Sequence, residues 1–224
     1  DFRTVAQELG QKDYTVRALE FKEMKKEAER RGLKSDKLVL PPIIEFDGIF
    51  IADNWKRSAA IASGLAYEEF PVGDFLPNKH TPIIPLMGLN SWHDARITEL
   101  GGSFIQHAVF VDAFSSVHSG DAAHEWVAYY QESFNGQKPK VLHAVTWDTT
   151  RLLASAVLAG GPDRQDIRDS LGQVELLDSV AAGGRFGDNR EIARELLFLT
   201  IEGEDIVPWT SPEDEEPSGE AIAP

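Results

Sequence analysis

The sequence contains no cysteine in 224 residues. That excludes a disulfide scaffold, a cysteine-ligated zinc site and a thiol nucleophile, and it leaves the compartment open. No apolar run approaches the roughly 20 residues of a membrane-spanning helix. No export leader is visible at the start, which reads from Asp1. Positive charge is scarce: 22 Lys and Arg stand against 37 Asp and Glu, a net charge of −15. Such a field repels phosphate backbones and argues against nucleic acid as a partner. Part of the excess lies in the tail 211–224, where Glu213, Asp214, Glu215, Glu216 and Glu220 stand among prolines and a glycine that cannot build a core. The tail is expected to be disordered.

Catalytic signatures are missing as well. The six histidines are scattered, and His118 and His124, the nearest pair to a metal spacing, have no acid placed to join them. Ser115, Ser116 and Ser119 lie near a histidine but without a G-x-S-x-G elbow. The glycines of GGRFGDNRE do not form a G-x-G-x-x-G fingerprint ahead of a helix. Thr146, Asp148 and Arg151 read as helix residues that cap or form ion pairs. These absences point to a protein that is not an enzyme and that carries no cofactor and no metal.

What is present is an alternation of short apolar runs and amphipathic stretches. Asp1–Leu9 reads as a helix with Asp1 as its cap. Val16–Arg31 reads as an exposed, charged helix, supported by the Glu27–Arg31 pair and stopped by Gly32. FDGIFIA (46–52) suits a strand buried on both faces, followed by a helix to about Glu68 that Asp53 or Asn54 can cap. TPIIPLMG (81–88) and HAVFVDAF (107–114) are further strands. Asp121–Phe134, with Asp121 as cap, Val145–Leu158 and Asp163–Leu171 are helices, and LLFLTI (196–201) is a last strand. Alternating strands and helices predict an α/β fold around a parallel or mixed sheet.

Open α/β sheets receive ligands outside the carboxyl ends of their strands. Two clusters meet that rule: Asp53, Asn54 and Trp55 after the first strand, and Asn90, Ser91 and Trp92 after the second. Asp53–Trp55 also open a helix, whose free N–H groups favour an anion. Helix capping is the competing role for Asp53 and Asn54, and packing the competing role for Trp55 and Trp92.

Five segments in order resemble one family: DFRTVAQEL, FDGIFIADNWKRSAAIASGLA, TPIIPLMGLNSWHDARITELGGSFIQHAVFVDAF, HEWVAYYQESFNGQKPKVLHAVTWDTTRLLASAVLAGG and GRFGDNREIARELLFLTIEGEDIVPW. Together, over roughly 1–9 and 44–209, they resemble the type I periplasmic binding proteins, the branched-chain-amino-acid type that serves ABC transporters. The resemblance implies a Rossmann-like two-lobed fold, here incomplete, with the N-terminal half absent and a charged insertion between Lys12 and Pro42. A second insertion, Phe70–His80, precedes the second strand. It assigns 1–114 and 183–210 to the C-terminal lobe and 115–182 to helices of the N-terminal lobe. Those helices would lack their sheet. Trp126, Tyr130, Leu152 and Leu153 would then face solvent, at about 1.5–3 kcal/mol of lost burial each.

The resemblance also places Trp55 at an aromatic residue that contacts the ligand, and Asn90 near an acid that pairs with the ligand's amino group. A neutral amide cannot supply that pairing. The function implied is an extracytoplasmic module, in the periplasm or envelope of a bacterium, closing on a small polar ligand with hinges near Ala113–Ser116 and Ala181–Gly184. Its implied partners are a membrane permease and the remainder of a longer chain. The alternative is a protein-interaction scaffold, such as a lipoprotein activator of an envelope enzyme, with a protein partner in place of a ligand.

Overall fold

A computed structural model describes residues 2–34, 38–78, 81–117, 120–181, 184–187 and 191–211. Asp1, His118, Ser119, the acidic tail from 212 onward and part of GGRFGDNRE lie outside the described residues. The chain divides into two compact units, Asp1–Phe110 with Thr200–Val207, and Val111–Leu199 with Pro208–Pro224. Of the three passages between them, the one at Phe110–Val111 falls just ahead of the expected Ala113–Ser116 hinge, and the others fall at Leu199–Thr200 and Val207–Pro208. The expected Ala181–Gly184 hinge lies inside the second unit.

The first unit is an α/β layer. Helices α1 (Phe2–Leu9) and α2 (Ala18–Arg30) precede strand β1 (Ile49–Phe50). Helix α3 (Trp55–Tyr67), strand β2 (Leu86–Gly88), a 3-10 turn over Asn90–Trp92 and helix α4 (Arg96–Gly101) follow. Strand β3 is Val109–Asp112. β1 pairs with β2, and β2 with β3, both parallel, with Ile49 beside Leu86 and Met87 beside Val109. Late in the chain, strands β7 (Leu197–Glu202) and β8 (Asp205–Pro208) complete the sheet in the order β1-β2-β3-β7-β8. Gly203 turns between them at a φ of 62°, a conformation that favours glycine. Gln106 clamps this turn, accepting from the Gly203 N–H at 2.7 Å and donating to the Gly203 carbonyl at 2.9 Å.

The strands are shorter than the apolar runs that announce them. The 46–52 run yields two strand residues, and it is not buried on both faces: Phe50 is 57% exposed. The open side is a face of the sheet and not its edge alone: Met87, the register partner of Phe50, is also exposed although β2 has a neighbour on both sides.

A buried ion pair joins α1, the root of the charged insertion and the end of α3. Lys12 Nζ donates to Glu68 Oε2 at 2.7 Å and to the Glu68 carbonyl at 2.8 Å, and neither side chain reaches solvent. Arg3 Nε and Gln7 Nε2 donate to the other carboxylate oxygen at 2.8 and 3.2 Å. Burial pushes the Glu68 carboxyl up, but the hydrogen bonds and charges of Lys12 and Arg3 outweigh it, and the group sits below its usual range. Burial lowers the Lys12 ammonium against the pull of Glu68. The charged helix α2 that follows is exposed, with Glu27 and Arg31 paired at 2.9 Å as expected.

The second unit is built from helices α5 (Asp121–Ser133), α6 (Val141–Gly160) and α7 (Arg164–Leu171). A small antiparallel sheet accompanies them: β4 (Glu175–Leu176), β5 (Gly184–Phe186) and β6 (Ile192–Ala193), in that order. Gly120, not Asp121, occupies the cap of α5, because its carbonyl already accepts from Ala123 and His124; Asp121 is the first helical residue. The core gathers Phe114, Ala123, Trp126, Val127, Ala144 and Val180. Phe114 meets Trp126 edge-on, with centroids 5.7 Å apart. Trp126 and Leu152 are therefore buried, at 7% and 2% exposure, and of the four residues expected to face solvent Leu153 is exposed. The helices bury one apolar stripe against their own unit.

Asp148 closes this core. Its buried carboxylate accepts from Ser179 Oγ at 2.6 Å, from the Val180 N–H at 3.1 Å and from the Ala181 N–H at 2.8 Å. Arg151, one turn on, pairs with Asp178 at 2.6 Å. One carboxylate thus satisfies the backbone donors of a loop that buries its own apolar side chains.

Three outcomes follow for equilibrium denaturation. Lys12→Met costs about 3–5 kcal/mol by stranding a buried carboxylate, and adding Glu68→Leu recovers most of the loss. With the folded Glu68 pKa below the unfolded value, its contribution is complete above the unfolded carboxylate pKa. It falls away as pH drops through the folded value, so a titration from neutral to acid shows declining stability that Glu68→Leu flattens. Asp148→Ala costs about 3 kcal/mol, more than Asp148→Asn, which keeps one acceptor.

Candidate functional site

The two predicted clusters meet at the carboxyl ends of β1 and β2. Ile51 still bonds to β2, its N–H donating to the Met87 carbonyl at 2.8 Å, and the chain then leaves the sheet. Ser91 Oγ donates to the Asp53 carbonyl at 2.8 Å and ties the two loops together. Asp53 Oδ1 accepts from the Asn54 N–H at 2.8 Å, and its other oxygen pairs with Arg57 at 3.1 Å.

Asn54 is the cap of α3. Its Oδ1 accepts from the Lys56 and Arg57 N–H groups, each at 3.1 Å. The amino end of α3 was expected to offer those groups to an anion, and the cap already occupies them.

Trp55 is half-buried, and the Arg96 guanidinium lies 4.4 Å above its ring. Arg96 is held by Asp94 through two bonds, Nε to Oδ1 at 2.8 Å and a terminal nitrogen to Oδ2 at 2.7 Å. The hydrogen bond and charge of Asp94 raise the guanidinium pKa further above its already high ordinary value. Asn90 and Ser91 are exposed, and the Asn90 side chain makes no hydrogen bond to another described residue.

Trp92 is placed differently. It is fully buried, packs against Phe110 at 6.3 Å between centroids, and rests on Gly88, where any Cβ would overlap its ring. It presents no surface to a ligand in this structure and braces the loop that carries Asn90 and Ser91.

Asp94 and Arg96 were not singled out from the sequence. The signal was present in the D-A-R spacing: Asp94 Oδ1 accepts from the Arg96 N–H at 3.2 Å, a local turn that opens α4. Two of the described histidines serve local bonds, and His107 pairs with Asp74 at 3.1 Å. His143 Nδ1 accepts from the Lys140 N–H at the start of α6, and the His124 ring meets the Val117 carbonyl at 2.9 Å. Among the described residues no group of three or more His, Asp or Glu could hold a metal ion, and no helix is long and apolar enough to cross a membrane.

The architecture matches solved structures over most of its length. A leucine-binding protein from Thermotoga maritima superposes with a TM-score of 0.59 at 16% identity, over 75% of this chain and 45% of the other. A branched-chain amino acid transporter substrate-binding protein from Streptococcus pneumoniae, in complex with isoleucine, gives 0.53 at 16% identity, over 72% and 43%. This is part of a type I periplasmic-binding-protein fold. A solute-binding protein from R. palustris, in complex with benzoate, gives 0.53 at 15% identity, over 84% and 46%. The chain spans about half the length of these type I structures. No family model and no curated protein matches it.

Gly88→Ala tests the brace. The added methyl displaces Trp92, so the midpoint of urea unfolding is expected to drop by the equivalent of about 1–3 kcal/mol. An unchanged midpoint would show that the Trp92 loop repacks freely.

Proposed function

We propose that this chain supplies one ligand-facing surface of an extracytoplasmic solute-binding or sensory module, non-enzymatic, that closes on a small polar ligand. The observation that carries the reading is the shelf at the carboxyl ends of β1 and β2. Two loops joined by the Ser91–Asp53 bond present Trp55, Asn90 and Arg96 together. An aromatic face, an uncommitted amide and a guanidinium are groups that orient a planar or carboxylate-bearing molecule. The acids of the shelf, Asp53 and Asp94, are already paired with Arg57 and Arg96. With Asn90 neutral, no unpaired acid among these groups meets a ligand ammonium. Of the two ligands in the compared structures, benzoate fits this chemistry better than isoleucine.

A periplasmic or envelope location and a membrane permease as partner belong to the same reading. The alternative, a protein-interaction scaffold such as a lipoprotein activator of an envelope enzyme, draws on exposed Leu142, Leu153 and Leu158 along α6.

The test is thermal unfolding of the full-length protein with benzoate and isoleucine at millimolar concentration. Benzoate is expected to raise the melting temperature, and Trp55→Ala to abolish the rise, since a ligand that binds the folded state alone must stabilise it. No shift with either compound sinks the benzoate assignment. No shift across a wider panel of small acids and amino acids as well favours the scaffold.

A further inference from the structure

Charge is unevenly placed along the chain. Residues 17–34 carry seven Lys and Arg against four Glu, a net of +3, while the remainder holds 15 against 33 acids, a net of −18. Most of this basic stretch is helix α2. Its inner side is fixed: Arg17 donates to the Pro41 carbonyl at 2.9 Å, Tyr14 meets Phe21 edge-on at 5.0 Å between centroids, and Ala28 is buried. The opposite side turns outward. Spacings of three and four put Leu19, Lys22, Lys26 and Arg30 on it as one exposed ridge, about 16 Å long at 1.5 Å per residue. Lys22, Lys26 and Lys34 make no ion pair with another described residue. Like charges four residues apart destabilise a helix, so folding alone gives no reason for the row. Glu23 lies on the same side and lowers the excess without cancelling it. Exposed apolar side chains stand at both ends of the ridge: Val16 and Leu19, 81% and 80% exposed, and Leu33, 60% exposed.

We propose that the outer ridge of α2 docks on an anionic phospholipid membrane. Charge complementarity and the aliphatic ends select this occupant together. A row of cations on a convex helix meets a flat layer of phosphates without any matching groove. Leu19 and Leu33 reach the acyl boundary, while the lysine stems lie along it and keep their ammonium groups among the headgroups. A protein that seats a helix in a groove reads apolar anchors at i, i+3, i+4 and i+7. Those positions here are Leu19, Lys22, Glu23 and Lys26, a single apolar residue among four. Nucleic acid offers phosphates but no acyl layer for the aliphatic ends. The acidic remainder of the chain repels the same membrane, but charges beyond about 8 Å are largely screened at physiological ionic strength, and the ridge in contact decides.

The experiment floats the full-length protein with vesicles of phosphatidylglycerol and phosphatidylcholine in equal parts, and with vesicles of phosphatidylcholine alone. The expected partition onto the anionic vesicles is about tenfold or more above that onto the neutral ones. In about 1 M salt, where the screening length is about 3 Å, the two become equal. Lys22→Ala with Lys26→Ala lowers the anionic partition about 25-fold, roughly fivefold for each lysine. Leu19→Ser lowers it about fivefold. Lys138→Ala, at an exposed lysine of the second unit, leaves it unchanged. Melting temperatures check that the variants fold, and if one does not, the lipid and salt dependence of the unmodified protein decides. Equal partition onto both kinds of vesicle at low salt overturns the proposal. So does an unchanged partition in either the lysine pair or Leu19→Ser, and so does a loss with Lys138→Ala as large as with the pair. Tighter capture by soluble polyglutamate or by duplex DNA than by the vesicles also overturns it, and assigns the ridge to an acidic polypeptide or to nucleic acid. None of these results depends on whether the shelf at Trp55 binds a ligand.

Discussion

The Lys12–Glu68 bond anchors the helix whose amino end carries Trp55. α3 is a rod, and its two ends are fixed by different means. At the carboxyl end, Glu68 is held by Lys12, Arg3 and Gln7, which lie on α1 and the residues just after it. At the amino end, Asn54 caps the first turn, and Asp53 is tied to the loop after β2 through Ser91. A cap is worth about 1 kcal/mol. A buried, multiply bonded carboxylate that loses its partner costs several times more. The far end of the helix, about 20 Å from Trp55 at 1.5 Å per residue, therefore holds the rod more firmly than the end that carries the candidate site. The site end is left with the local Asn54 cap and the single Ser91–Asp53 bond between its loops.

Much of this was legible in the sequence, and the parts that were not share a cause. A strand followed by D-N-W and a helix read correctly as a loop and cap, because capping is decided by neighbours two or three residues away. Gly88 and Trp92, four residues apart, formed a local close approach whose partner the spacing did not reveal. Lys12 read as the start of a solvated insertion. Its partner is 56 residues away, and no local pattern distinguishes a lysine that will be buried from one that will not. Asp148 is similar: its role on α6 was legible as a bond to somewhere, but the loop it holds begins 31 residues later. The 46–52 run was read as doubly buried because apolar composition reports what a strand can bury, and the structure leaves one side of it open.

The helices of the second unit carry the same lesson with the opposite sign. Their apolar residues were expected to lie exposed for want of a sheet. Instead Trp126 turns inward on Phe114 and Val180, Leu152 is buried as well, and Asp148 supplies the polar satisfaction that such a compact arrangement demands. A helix with apolar residues on more than one face can bury one and still present another. α6 does both, with Leu152 inside and Leu142, Leu153 and Leu158 outside.

The proposed carboxylate ligand would meet a strongly acidic chain. A net charge of −15 would repel a carboxylate at long range. At physiological ionic strength, however, charges beyond about 8 Å are largely screened, and the near field decides. Near the shelf, Lys56, Arg57 and Arg96 stand with Asp53, Asp94 and Glu99, whose field reaches Arg96, so the near charges cancel and the long-range repulsion is not reinforced there. Arg96 is held by Asp94 in a fixed orientation above Trp55, so its remaining N–H donors are already aimed. Orientation costs a ligand nothing when the protein has met it in folding. The acidity of the remainder slows the approach of an anion and raises solubility. On the proposed reading, the paired charges at the ends of β1 and β2 would select what is held there.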